Sequence, residues 1–62
     1  MTKTDYMLIT TALQDANSYC KTNRDRIMVR ITTECITATL KLDNEWLDVN
    51  KFMSLAAQVV EN

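Results

Sequence analysis

Three residue types on which many functional sites depend are missing: the 62 residues include no histidine, no glycine and no proline. Without imidazole there is no histidine general base or metal ligand, and no Ser/His or Cys/His nucleophilic pair. Without glycine there is no glycine-rich loop to wrap a phosphate. The sequence therefore predicts a protein that is not an enzyme and needs no cofactor, unless a second chain completes a shared site.

Cysteine and net charge are also low. Cys20 and Cys35 have neither CxxC spacing nor a histidine near them, so we expect no metal site and two reduced thiols. Seven basic and eight acidic residues give a formal net charge of −1. This balance supplies no overall field that would hold the chain on nucleic acid or on an anionic membrane.

The chain also has no long apolar run and no signal-peptide pattern at its start, so we expect no membrane contact and a cytoplasmic location. Its length allows one domain, residues 1–62, that buries roughly 60% of its unfolded surface. The margin of stability of such a small domain is thin. Self-association is a common remedy, so a second copy is one expected partner.

The first part of the chain has the apolar period of a helix. Apolar residues between Tyr6 and Cys20 recur with gaps of three and four, which predicts a helix from about Thr4 to Lys21. Thr2 with Asp5 three residues later matches a capping box. Because glycine is absent, Asn23 is the expected residue for a left-handed helix end.

The middle of the chain alternates apolar and polar residues, which predicts two strands over 27–32 and 36–42 with a turn over 32–35. With that turn, the two strands pair so that all their apolar side chains lie on one face of the sheet. Asp43 and Asn44 favour a second turn, followed by a short third strand over Glu45–Leu47.

A second helix is predicted from about Val49 to Glu61, with Asp48 as its N-cap and Leu47 and Phe52 as a hydrophobic staple. Its predicted buried residues are Val49, Phe52, Met53, Ala56, Val59 and Val60. The alternative is a helix that begins at Asn44, without a third strand, in which Trp46 packs as core.

These elements predict an α+β fold of the type αββ(β)α, with two helices packed on one face of a small antiparallel β-meander. The other face of the sheet would be open to solvent. The predicted partner-binding residues are those that this open face would carry: Arg26, Met28, Arg30, Thr37, Thr39, Lys41 and Trp46.

Tryptophan and arginine are frequent anchors of protein interfaces, so the open face indicates a non-enzymatic protein–protein interaction module. Small proteins of this kind, many of them viral or from mobile elements, commonly act as inhibitors or regulators by occluding or bridging a larger partner. The alternative is an RNA or single-stranded DNA binder, in which Trp46 stacks on a base and the cations contact phosphates. A third interpretation is a solvated sheet face that binds nothing. No small-molecule substrate is expected.

Overall fold

The computed structural model describes residues 1–58, and this range consists of three α-helices: α1 (Lys3–Ser18), α2 (Asn23–Asp43) and α3 (Val49–Ala56). Each helix contacts the other two. Because the start of α1 lies beside the end of α2, these two helices are antiparallel, and α3 runs alongside α1 in the same direction. Residues 1–58 contain no strand, so the predicted α+β fold with its β-meander is wrong.

Capping boxes begin the first two helices. In α1 the Asp5 carboxylate accepts from the Thr2 amide at 2.9 Å, and the Thr2 hydroxyl accepts from the Asp5 amide, which confirms the predicted start. Thr22 and Asp25 form the same reciprocal pair at the start of α2. This second box lies just before the segment that was predicted to be a strand.

Two buried threonines, Thr33 and Thr37, lie on the inner face of the helix over 27–42. Val29, Thr33, Ile36, Thr37 and Leu40 form the inner stripe of α2, at the spacing of one helix face. The Thr33 hydroxyl donates to the Val29 carbonyl at 2.8 Å, and the Thr37 hydroxyl donates to the Thr33 carbonyl at 2.6 Å. Because these hydroxyls bond within the helix, threonine can be buried there without an unpaired polar group. If threonine is counted as polar, the sequence shows an apolar–polar alternation and this helical stripe is not apparent.

The predicted turns are also wrong. Asn23 is the first residue of α2, and none of residues 1–58 has a positive φ. Asn44 is the C-cap of α2, and residues 45–47 belong to the connection between α2 and α3. No third strand and no helix beginning at Asn44 is present in the described part of the chain.

The start of α3 agrees with the sequence prediction, but its end does not. Asp48 is the N-cap, and its carboxylate accepts from the Lys51 amide at 3.0 Å. The helix ends at Ala56, earlier than the predicted end at Glu61. Predicted core residues Val59 and Val60 lie outside the described residues.

The core is formed by four buried side chains where the helices meet: Leu13 of α1, Leu40 of α2, and Phe52 and Ala56 of α3. Leu47 packs against this cluster, as expected for a staple beside Phe52. Two amides of α1 complete the end of α3. Gln14 Nε2 donates to the Leu55 carbonyl at 2.9 Å, and Asn17 Nδ2 donates to the Ala56 carbonyl at 2.8 Å. The Asn17 amide thereby satisfies a carbonyl that a helix end leaves without a partner, whereas the Leu55 carbonyl also accepts from the Gln58 amide at 3.2 Å.

The two capping carboxylates should make the stability of the fold depend on pH in the acidic range. Hydrogen bonds from the Thr2 amide and hydroxyl lower the pKa of Asp5, and bonds led by the Lys21 amide lower the pKa of Asp25. A lowered native pKa means that the stabilisation is present above the ordinary aspartate pKa and is lost as the pH falls through the native value. We expect the melting temperature to fall on acidification, and to fall less steeply in Asp5→Asn/Asp25→Asn.

Circular dichroism melts over a pH series would test this expectation. Asp15→Asn is the control, because Asp15 lies toward the other end of α1 from the N-terminal cap. An equal slope in the double variant and the wild-type chain would contradict a role for these carboxylates in the acid response.

Candidate binding groove

An apolar groove of about 420 Å³ lies between the first half of α1 and α3, and the α2–α3 connection borders it. Phe52, which is also part of the core, contributes to its lining. The groove is shallow and largely open to solvent. Further lining residues from α1, the connection and α3 are Lys3, Tyr6, Met7, Thr10, Asn44, Trp46, Leu47, Asp48, Lys51 and Leu55.

Trp46 is the most prominent of these side chains. It is 85% exposed, so the alternative in which it packs as core is wrong. Its backbone is nevertheless held in place, because the Trp46 amide donates to Asn44 Oδ1 at 3.1 Å. Asn44 Nδ2 in turn donates to the Tyr6 hydroxyl at 3.4 Å, which ties the connection to α1.

Lys41 fixes the connection from the other side. Its ammonium donates to the carbonyls of Glu45 and Leu47, the latter at 3.0 Å. A cation at the C-terminal end of α2 also complements the helix dipole. The loop is therefore anchored on both α1 and α2, and it presents the Trp46 indole from a defined backbone.

Charge at the groove is mainly positive. Lys3 and Lys51 line it, and both are exposed. Asp48, the one carboxylate among the lining residues of the described chain, already caps α3. The groove therefore combines an apolar surface with two cations.

The seven predicted partner-binding residues do not form one surface. Six lie on α2, where Thr37 is only 2% exposed and belongs to the inner stripe. Met28 and Thr39 lie roughly 200° around the helix from Arg26, at 3.6 residues per turn. Arg30 is exposed and pairs with Glu34 at 3.4 Å. Lys41 supports the connection, and Trp46 is the one residue of the seven that lines the groove.

Sequence reasoning missed the other exposed residues of the groove. Lys3 and Met7 are an i, i+4 pair on α1, and Lys51 and Leu55 are the same kind of pair on α3. Each pair can be recognised in the sequence as two residues on one face of a helix. Their meeting across one groove depends on α3 lying beside α1, which no local pattern shows.

Three further features bear on chemistry in the described part of the chain. Both cysteines are free thiols: Cys20 Sγ donates to the Ala16 carbonyl at 3.4 Å, and Cys35 is exposed. No group of three acidic, cysteine or histidine side chains within residues 1–58 could hold a metal ion. None of the three described helices combines the length and apolarity that a membrane crossing requires.

Residues 1–58 thus form a small three-helix domain with a cation-bordered apolar groove. No family model matches the chain, and no curated protein or solved structure is significantly similar to it.

Proposed function

We propose that this chain is a non-enzymatic protein–protein interaction module whose groove binds an apolar segment of a larger partner with acidic residues beside it. The observation that carries this proposal is the exposure of Trp46 at the groove, on a backbone that hydrogen bonds hold in place. Exposed tryptophan on an ordered scaffold is typical of interface anchors, since burying it on binding removes a large apolar area from water.

The rest of the groove supports an apolar occupant. Met7 is 61% exposed and Leu55 is 39% exposed, so α1, α3 and the connection each contribute apolar area to one surface. Contiguous exposed apolar area on a small domain commonly marks a binding site. Because the groove is shallow and largely open, a small molecule would stay mostly exposed in it, whereas a protein segment could cover it.

The cations favour acidic residues in the partner. Lys3 and Lys51 lie at the groove, where complementary charge would steer association and select the partner. In this proposal the chain acts as an inhibitor or regulator by occluding or bridging the larger protein. A cytoplasmic location belongs to the same proposal, and the free thiols Cys20 and Cys35 are compatible with a reducing compartment.

A nucleic-acid role finds less support. The basic residues of the α1–α2 connection and the start of α2 lie at the far end of α2 from Trp46. From Arg30 to Asp43 the helix rises about 20 Å, so stacking on Trp46 and phosphate contacts near Arg30 would use separate surfaces. The groove itself has two lysines, which is few for a nucleic-acid interface.

Affinity capture from an extract of the cells in which the protein occurs would test the proposal. Three immobilised chains are compared: wild type, Trp46→Ala and Arg24→Glu. We expect one protein to be retained in stoichiometric amount by the wild type and Arg24→Glu, and its affinity for Trp46→Ala to be at least about tenfold lower. Melting temperatures should agree within a few degrees, because Trp46 and Arg24 are both exposed.

The identified partner should then bind Lys51→Glu more weakly than wild type, with most of the change in the association rate. Equal capture by wild type and Trp46→Ala would contradict the groove as the binding site. Loss of all captured material after nuclease, with affinity falling steeply as salt rises, would instead indicate nucleic acid.

A further inference from the structure

A second apolar stripe runs along α2 on the side away from the core, and we call it the outer stripe. Its five residues follow one another with gaps of three, four, three and four: Met28, Ile31, Cys35, Ala38 and Leu42. All five are exposed, Leu42 at 88%. The side chains that pack against α1 and α3 occupy the opposite face of the same helix.

This spacing is that of a coiled-coil seam, with Met28, Cys35 and Leu42 at one core position of the heptad and Ile31 and Ala38 at the other. A globular helix needs one apolar face to reach its core, and the inner stripe of α2 already supplies it. The outer stripe extends over about 21 Å of helix, and its heptad spacing points to another helix as its occupant.

The charges beside the outer stripe favour a second copy of α2 in antiparallel orientation. In the antiparallel register, Ile31 meets Leu42 of the second copy and Cys35 meets its Ala38, whereas Met28 lies beyond the paired layers, level with Glu45 just past the end of the second copy's α2. Glu34 then lies beside Lys41 of the second copy, and the two-fold axis repeats this opposite-charge pair. In a parallel pair Glu34 would lie beside Thr39, and no opposite charges would meet.

Both charged groups are available for that contact. Lys41 uses two of its three N–H donors on the connection, which leaves one. Glu34 is half exposed and pairs with Arg30 on its own helix through one carboxylate oxygen.

We infer that the chain forms an antiparallel homodimer through the outer stripe of α2. None of the five outer-stripe residues lines the groove, so this inference does not rest on the proposed function. Dimerisation covers exposed apolar area that a 62-residue domain cannot bury within its own core.

Cysteine cross-linking would test the inference and its orientation. In a Cys20→Ala/Cys35→Ala background, one chain carries Ile31→Cys and another carries Leu42→Cys. The antiparallel register brings these two positions together between copies, whereas like positions are about 16 Å apart along the helix. We expect oxidation of the mixture to give a disulfide-linked heterodimer well in excess of either homodimer, as read by intact mass. Each chain alone should stay uncross-linked.

Homodimers from each chain alone would overturn the antiparallel orientation, and a statistical mixture or no cross-link would overturn the interface. Sedimentation velocity of the unmodified chain over a concentration series gives a second readout. Ile31→Asp should raise the dissociation constant of the dimer at least about tenfold, because it places a charge in the seam. Leu8→Asp, at an exposed leucine of α1, should leave it unchanged. A wild-type chain that remains monomeric throughout would contradict the inference, whatever protein the groove binds.

Discussion

Replacing Leu40 by alanine should lower the free energy of unfolding by roughly 2 to 5 kcal/mol. Leu40 is the contribution of α2 to the buried cluster with Leu13, Phe52 and Ala56, so its removal leaves a cavity where all three helices meet. The described core has few other buried side chains, so rearrangement of the neighbouring helices can fill only a small part of this cavity. Urea unfolding followed by circular dichroism would measure the loss.

Thr39→Ala is the matched control, one residue away on the exposed side of α2. It should change the free energy of unfolding by no more than about 0.5 kcal/mol, as is usual for a surface substitution. A larger loss for Thr39→Ala than for Leu40→Ala would mean that α2 packs on the opposite face.

Proline at position 32 should destabilise the protein by about 3 kcal/mol or more. In the continuous helix α2, the Thr32 amide donates to the Met28 carbonyl, and proline both removes this bond and clashes with that carbonyl. Thr32 is exposed, so its side chain contributes little to packing. In the hairpin predicted from alternation, residue 32 would begin a turn, where proline is far less disruptive.

Thr32→Ala separates the backbone effect from loss of the side chain. Alanine favours the helix over threonine, so this variant should be as stable as the wild type or slightly more stable. Helical ellipticity and urea midpoints would compare the three chains. Near-wild-type stability of Thr32→Pro would contradict an uninterrupted α2.

Local signals located the ends of elements better than they located the elements themselves. The Thr2 and Asp5 capping box and the Asp48 N-cap were both predicted, because each depends on hydrogen bonds between residues three apart. The same signature at Thr22 and Asp25 was present in the sequence and was overlooked. It would have predicted a helix start immediately before the segment that was interpreted as strands.

The prediction of a sheet failed because both faces of α2 carry apolar residues. An inner stripe and an outer stripe on one helix together place apolar side chains at many alternate positions, which resembles the period of a strand. Thr33 and Thr37 were counted as polar although their hydroxyls bond to the preceding helical turn and allow burial. Leu40 is buried, as the apolar face of the predicted strand over 36–42 implied, because it faces inward in either structure.

The local sequence was enough to predict the capped starts of α1 and α3 and the inward face of α1, and its composition shows that the chain has no imidazole and no glycine-rich loop. Packing of the three helices decided the rest. It selected which of two apolar stripes on α2 became core, and it placed Met7 of α1 beside Leu55 of α3 to form the groove. Such outcomes depend on contacts between residues far apart in the chain, and these contacts exist only once the helices have met.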